Sequence, residues 1–130
     1  MVRDEAQQSV VILKGDGLFD SAATTVRANY IPVIDRIAAA MNGVSGKILV
    51  TGYSDNLPIR SARFASNWEL SLARAEAVSA RLQKHLANPQ RVKAEGRGES
   101  NPVAPNDNKV NRALNRRVEI CLLYTSPSPR

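Results

Sequence analysis

This chain has a single cysteine, Cys121, and a single histidine, His85, in 130 residues. One cysteine excludes an intrachain disulfide framework. One His and one Cys leave too few ligands for a tetrahedral zinc site. Any Ser-His-Asp or Cys-His scheme must pass through His85, which falls deep in a helical pattern, far along the chain from Cys121. No Gly-x-Ser-x-Gly elbow is present. Gly96-Arg97-Gly98 is too short for a phosphate loop and is not followed by Lys-Ser/Thr. No catalytic residue, metal or cofactor is therefore expected.

Long apolar runs are also missing. No stretch approaches the ~18–20 residues of a membrane span, and no tripartite start marks a signal peptide. The chain reads as soluble as given, or as a soluble piece of something longer. Aromatic residues are few: one Trp, three Tyr and two Phe. The net charge of +6 suits an anionic partner. Yet Lys and Arg are scattered, with few rings to stack bases, so nucleic acid is not an expected partner.

What is present is an ordinary globular composition at the size of one domain. Gln8 to Leu13 reads as a first strand, broken by Gly15-Asp16-Gly17. A loop from Leu18 to Arg27 follows, with Leu18 and Phe19 turned inward. Ile34, Ile37, Ala38 and Met41 recur at helical spacing and predict a helix from Tyr30 to Met41. Pro32 is tolerated in its first turn and Asn42-Gly43 stops it. Lys47 to Gly52 is a second strand, its Ile-Leu-Val run suited to a strand covered on both faces. A loop from Tyr53 leads to Asn67, the expected cap of a second helix reaching Leu86. Asn88-Pro89 ends that helix. Arg91 to Gly96 is a third strand, and Asn101 to Asn108 a loop. In a fourth strand, Arg116 to Leu123, Val118, Ile120 and Leu122 alternate with Arg117, Glu119 and Cys121. The alternation predicts an α/β sandwich, with helices on one face of a mixed sheet. Residues 1–7 form an N-terminal flank and 8–123 the domain. The Pro-containing residues 124–130 read as a disordered tail, a cloning or sequencing scar.

Two charged residues stand out. Asp55 follows the second strand, where loops carry function. It fits either a turn role, given Ser-Asp-Asn, or acceptance of a ligand ammonium. Arg74 falls between Leu70 and Val78 inside the apolar stripe of the second helix, at about 100° per residue. A charge there needs a partner, because an unpaired buried charge is costly. That partner is a structural one, Asp55 or Glu119, or a ligand. An Asp beside an Arg makes a receptor for an amino-acid headgroup: the Asp takes the ammonium, the Arg forks the carboxylate. Arg81 occupies the same stripe and is expected to snorkel past the core edge.

Four ordered motifs carry a resemblance: Gly52-Tyr53-Ser54-Asp55, Asn67 to Ala75, Gly96-Arg97-Gly98-Glu99, and Asn115 to Glu119. Over about 10–123 the chain resembles the OmpA-like peptidoglycan-binding domain. The resemblance implies a mixed four-stranded sheet with two main helices on one face. It also implies noncatalytic binding of the diaminopimelate of peptidoglycan stem peptides. Asp55 and Arg74 would hold that residue's ammonium and carboxylate. Asn67 and Leu70 would shape the pocket, Ser54 would sit at its rim, and Arg117 would support it from the adjacent strand. Within the family, Asp55 to Ile59 and Arg63 to Ser71 are similar to the periplasmic domain of TssL-type proteins of the type VI secretion system. The flagellar stator MotB is the second resemblance. Either implies a periplasmic domain of an inner-membrane protein whose transmembrane segment lies outside this chain. Implied partners are peptidoglycan and other subunits of an envelope-spanning secretion complex, with a homodimer left open. An OmpA-like fold used for protein–protein assembly, without glycan binding, is the alternative.

Overall fold

A computed structural model describes residues 2–5, 8–20, 23–57 and 64–124. Five strands form one sheet: β1 (Val2–Glu5), β2 (Gln8–Lys14), β3 (Gly46–Tyr53), β4 (Val92–Gly96) and β5 (Arg117–Tyr124), in the order β1-β2-β5-β3-β4. All pairs are antiparallel except β3 with β4. A parallel pair needs a crossover, supplied here by the helix between those strands. The four expected strands are present, and β1 extends the edge into the stretch expected to be a flank. Residues 125–130 of the expected tail lie outside the described residues, whereas Tyr124 ends β5.

Four α-helical segments among the described residues accompany the sheet: the single turn α1 (Gly15–Leu18), α2 (Ile31–Met41), α3 (Asn67–His85) and α4 (Lys109–Asn115), with 3-10 turns at Ala28–Tyr30 and Pro89–Arg91. The α2 helix carries Pro in its first turn and buries Ile34, Ala38 and Met41, one stripe of a 3.6-residue period. The α3 helix buries Leu70, Ser71, Arg74, Ala75, Val78, Ser79 and Leu82. Its cap is Ser66 rather than Asn67. The Ser66 hydroxyl accepts from the Glu69 amide at 3.2 Å, and the Glu69 carboxylate accepts from the Ala65 amide at 2.8 Å. This is a capping-box spacing, Ser-x-x-Glu, shifted so that Glu reaches one residue further back. The α1 turn and α4 were not expected: α1 is built on glycines, and α4 is too short to show a period.

The core lies between the sheet and α2 and α3. Val118, Ile120 and Leu122 of β5 meet Ile48 and Val50 of β3, Ile34 and Ala38 of α2, and Val78 and Leu82 of α3. Leu18 and Phe19 are buried as expected. The α3 helix sits close on β3 and β4 because Gly52 and Gly96 face it. A Cβ on Gly52 would collide with the Ser71 carbonyl oxygen, and one on Gly96 would stand 2.5 Å from the Leu72 amide nitrogen. Arg81 does snorkel to the edge, where its Nε and Nη2 each donate to Asp35 of α2 at 2.8 Å.

Candidate functional site

The close approach of α3 to the end of β3 places Arg74 beside the loop that follows Tyr53. With Gly15, Phe19 and Arg116 they enclose a cavity of about 580 Å³. Ser54, Asp55, Asn67, Leu70 and Arg74, five of the six expected site residues, line it. So do the acids Asp16 and Asp20 and the cations Arg27 and Arg116. Three carboxylates and three guanidiniums on one wall make the cavity amphoteric, which suits a zwitterion better than a simple anion.

Asp55 is buried. Its Oδ1 accepts from the Leu57 amide at 3.0 Å, the turn role open from the sequence, and its Oδ2 accepts from Arg116 Nη1 at 2.6 Å. A carboxylate offers about four acceptor positions, so capacity remains for an ammonium. Ser54 donates its hydroxyl to the Asp55 carbonyl at 2.8 Å. Asn67 donates to the Leu57 carbonyl at 2.7 Å and the Asp55 carbonyl at 3.4 Å, bracing this loop against the start of α3.

Arg74 makes neither expected ion pair. Its Nε donates to the Ala23 carbonyl at 2.9 Å and its Nη2 to the Asp20 carbonyl at 3.2 Å. The guanidinium carbon lies 4.9 Å from the Phe19 ring centroid. Arg74 lines the cavity, and among the described residues it forms no ion pair and only these two hydrogen bonds. Burial lowers its pKa from the ordinary arginine value, opposed mainly by the charge of Asp16. Arginine stays protonated regardless. Carbonyls and a ring hold the group without neutralising it, leaving a fixed cation for a ligand carboxylate.

Arg117 is not at this cavity. It shares the face of Glu119 and Cys121, turned away from α2 and α3. Its Nε donates to Glu119 at 2.7 Å, its Nη groups donate to the Asn115 and Asn101 carbonyls, and it stacks on Tyr53 at 3.8 Å. The terminal motif instead sends Arg116 into the site. Arg116 grips Asp16 through Nε and Nη2, both at 2.8 Å, and Asp55 through Nη1. The hydrogen bond from Arg116 holds the Asp16 carboxyl below its usual range, against an opposing effect of burial. The Arg116 pKa is raised, chiefly by the same hydrogen bond from its own side. Gly15 makes this reach practicable: its amide donates to the Arg116 carbonyl at 2.8 Å, and a Cβ would stand 2.8 Å from that oxygen.

Strand parity carries the signal for Arg116. Val118 faces the helices, so Arg116 does too, while Arg117 cannot. Asp16 has no comparable signal, since it meets Arg116 across 100 positions of chain. Asn115 of the same motif is fully buried. Its carboxamide accepts from the Val103 and Ala104 amides and donates to the Ala104 carbonyl and Asn106 side chain, which fixes the loop before α4. No group of three or more His, Cys, Asp or Glu that could hold a metal occurs among the described residues. No described helix is long and apolar enough to cross a membrane.

Comparison with known proteins accords with this geometry. Residues 18–116 match the OmpA family model. The fold is similar to the cell wall anchor of the type VI secretion system from Pseudomonas aeruginosa, with a TM-score of 0.91 and 46% identity over 96% of this chain and 87% of that one. It is also similar to the periplasmic domain of Helicobacter pylori MotB, with a TM-score of 0.85 and 32% identity over 96% and 82% of the two chains. In sequence it is 34% identical over 116 residues to Motility protein B of Bacillus subtilis, covering 88% of this chain but 44% of that protein. It thus spans less than half of that relative's length. With the family model covering most of the chain and the fold matching throughout, this chain belongs to the OmpA family.

Proposed function

We propose that this domain binds peptidoglycan without cleaving it, by holding the free zwitterionic end of diaminopimelate in the stem peptide, and so anchors an envelope complex to the wall. The observation that carries this is the pairing, in one cavity, of a buried carboxylate with acceptor capacity, Asp55, and a cation held by carbonyls rather than by an acid among the described residues, Arg74. The Asp accepts from the ligand ammonium and the Arg donates to its carboxylate. Asn67 and Leu70 shape the wall, and Ser54 holds the Asp55 loop. Arg116 orients Asp55 in place of the expected Arg117. The likeness to a cell wall anchor supports binding, rather than hydrolysis, as the use of these groups.

The complex served is a secretion machine of the type VI class, in the periplasm. The higher identity to the secretion-system anchor than to the stator domains, 46% against 32%, favours it. The stator reading is second, supported by the motility-protein relatives. Each domain binds one stem peptide weakly, and several copies on one polymer supply the anchoring strength.

The test is co-sedimentation of the domain with diaminopimelate-containing sacculi, for wild type, Asp55→Ala and Arg74→Ala, each shown folded by a thermal melt. Wild type pellets with sacculi and both folded variants stay in the supernatant. Wild type remaining in solution would overturn wall binding and leave assembly with a protein partner.

A further inference from the structure

Resting on the wall-binding reading above, we propose that a second cleft beside the charged cavity receives a sugar of the glycan strand, with Trp68 as its stacking platform. The cleft encloses about 320 Å³, and its lining includes Asn56, Ser66, Asn67, Trp68, Gly98 and Glu99. It differs in character from the first cavity: amides, a hydroxyl and one carboxylate, with no cation among the lining residues. Such a lining suits a neutral ligand rich in hydroxyl groups.

Trp68 is the chain's sole tryptophan and is 56% exposed, although tryptophan is on average highly buried. It is not loosely placed. The Ser71 hydroxyl donates to the Trp68 carbonyl at 2.8 Å and accepts from the Gly98 amide at 2.9 Å. Gly98 has φ +53°, and a Cβ there would come within 3.2 Å of the indole Cε3. The ring therefore lies against a backbone position that favours glycine, with more than half of the residue's surface open. A pyranose has an apolar face of C–H bonds and a rim of hydroxyls. An indole with a half-open surface takes the face, and the Asn56, Asn67 and Glu99 side chains take the rim.

The two sites are contiguous. Asn67 lines both, and its side-chain amide bonds to the Asp55–Leu57 loop that separates them. A diaminopimelate in the charged cavity is joined to the glycan through two further amino acids and a lactyl group, a short tether that suits a sugar site sharing Asn67 with the cavity.

The experiment uses the sole indole as its reporter. The domain is titrated with an N-acetylglucosaminyl-N-acetylmuramyl peptide containing diaminopimelate, and with the same peptide lacking the sugars. The sugar-bearing ligand binds about tenfold tighter and alone shifts the tryptophan emission. Trp68→Ala, folded by thermal melt, keeps the affinity for the bare peptide and loses the sugar preference, whereas Trp68→Phe retains most of it. Equal wild-type affinity for the two ligands, or an undiminished preference in Trp68→Ala, overturns the sugar site alone and leaves wall binding standing, with the indole available to a protein partner. No binding of either ligand overturns both.

Discussion

Arg116 and Arg117 are neighbours in sequence and serve opposite sides of the sheet. Arg116 donates to Asp55 at 2.6 Å in the charged cavity, while Arg117 donates to Glu119 at 2.7 Å on the face turned away from the helices. Arg117 opens β5, and Arg116 stands just before it in extended backbone as the C-cap of α4, so the alternation carries back one residue: Val118 points into the core, Arg117 to the other face and Arg116 to the helix side. One arginine is thereby assigned to the site and the other to the scaffold, and their substitutions separate these roles.

Replacing Arg116 with alanine frees Asp55 and Asp16 from their shared fork. The affinity for a diaminopimelate peptide is expected to fall about tenfold by titration calorimetry on folded protein, together with a lower melting temperature, because Asp55 is buried and loses its cation. Arg116→Lys keeps the charge but not the bidentate hold on Asp16, so it restores only part of the affinity. Tighter binding in Arg116→Ala would show instead that Arg116 competes with the ligand for Asp55.

Arg117→Ala leaves Glu119 buried without its cation. Removing one partner of a buried pair costs about 3–5 kcal/mol, and denaturant unfolding is expected to show a loss of that order. Sacculus binding per folded molecule stays unchanged. Replacing both Arg117 and Glu119 with apolar residues recovers much of the stability, because no lone charge remains.

Asp16 gives a pH signature. Its folded pKa lies below the ordinary 3.8 because of Arg116. A lowered carboxylate pKa means that its contribution to stability is present above 3.8 and lost as pH falls through the folded value. Thermal melts of wild type and Asp16→Asn are expected to differ near neutral pH and to converge as the solution is acidified below 3.8. The gap is small, since the Asp16 side chain is 57% exposed. A gap that widens in acid would contradict the assignment.

Gly52→Ala drives a Cβ into the Ser71 carbonyl, a backbone atom that cannot swing aside. Overpacking of this kind costs about 1–3 kcal/mol or more. The expected relief is a shift of α3 away from β3, which carries Arg74 and Asn67 with it. Both stability and peptide affinity therefore fall together, measured by denaturation and calorimetry on the same preparation.

The local elements were legible in the chain because strand and helix periods are local properties. Ile34, Ala38 and Met41 mark α2 without reference to any other segment, and the Val118, Ile120, Leu122 alternation marks β5. The short elements were not. The α1 turn and α4 are too brief to display a period, and β1 lies in a stretch with no clear alternation. Asp55 and Arg74 were visible for a different reason: an aspartate after a strand and an arginine inside an apolar stripe both break a local rule, and the fold brings both to one cavity.

The sequence by itself determined the order of the longer strands and helices, their core faces and the misfit charges, since each depends on residues within a few positions. Only the tertiary structure decided which partners those charges meet. Arg116 reaches Asp16 across 100 positions and Asp55 across 61, and Arg74 settles on carbonyls 51 and 54 positions away rather than on either expected acid. Such pairings are set by which distant segments the sheet brings together and by how closely two glycines let α3 approach it, and neither leaves a local pattern to read.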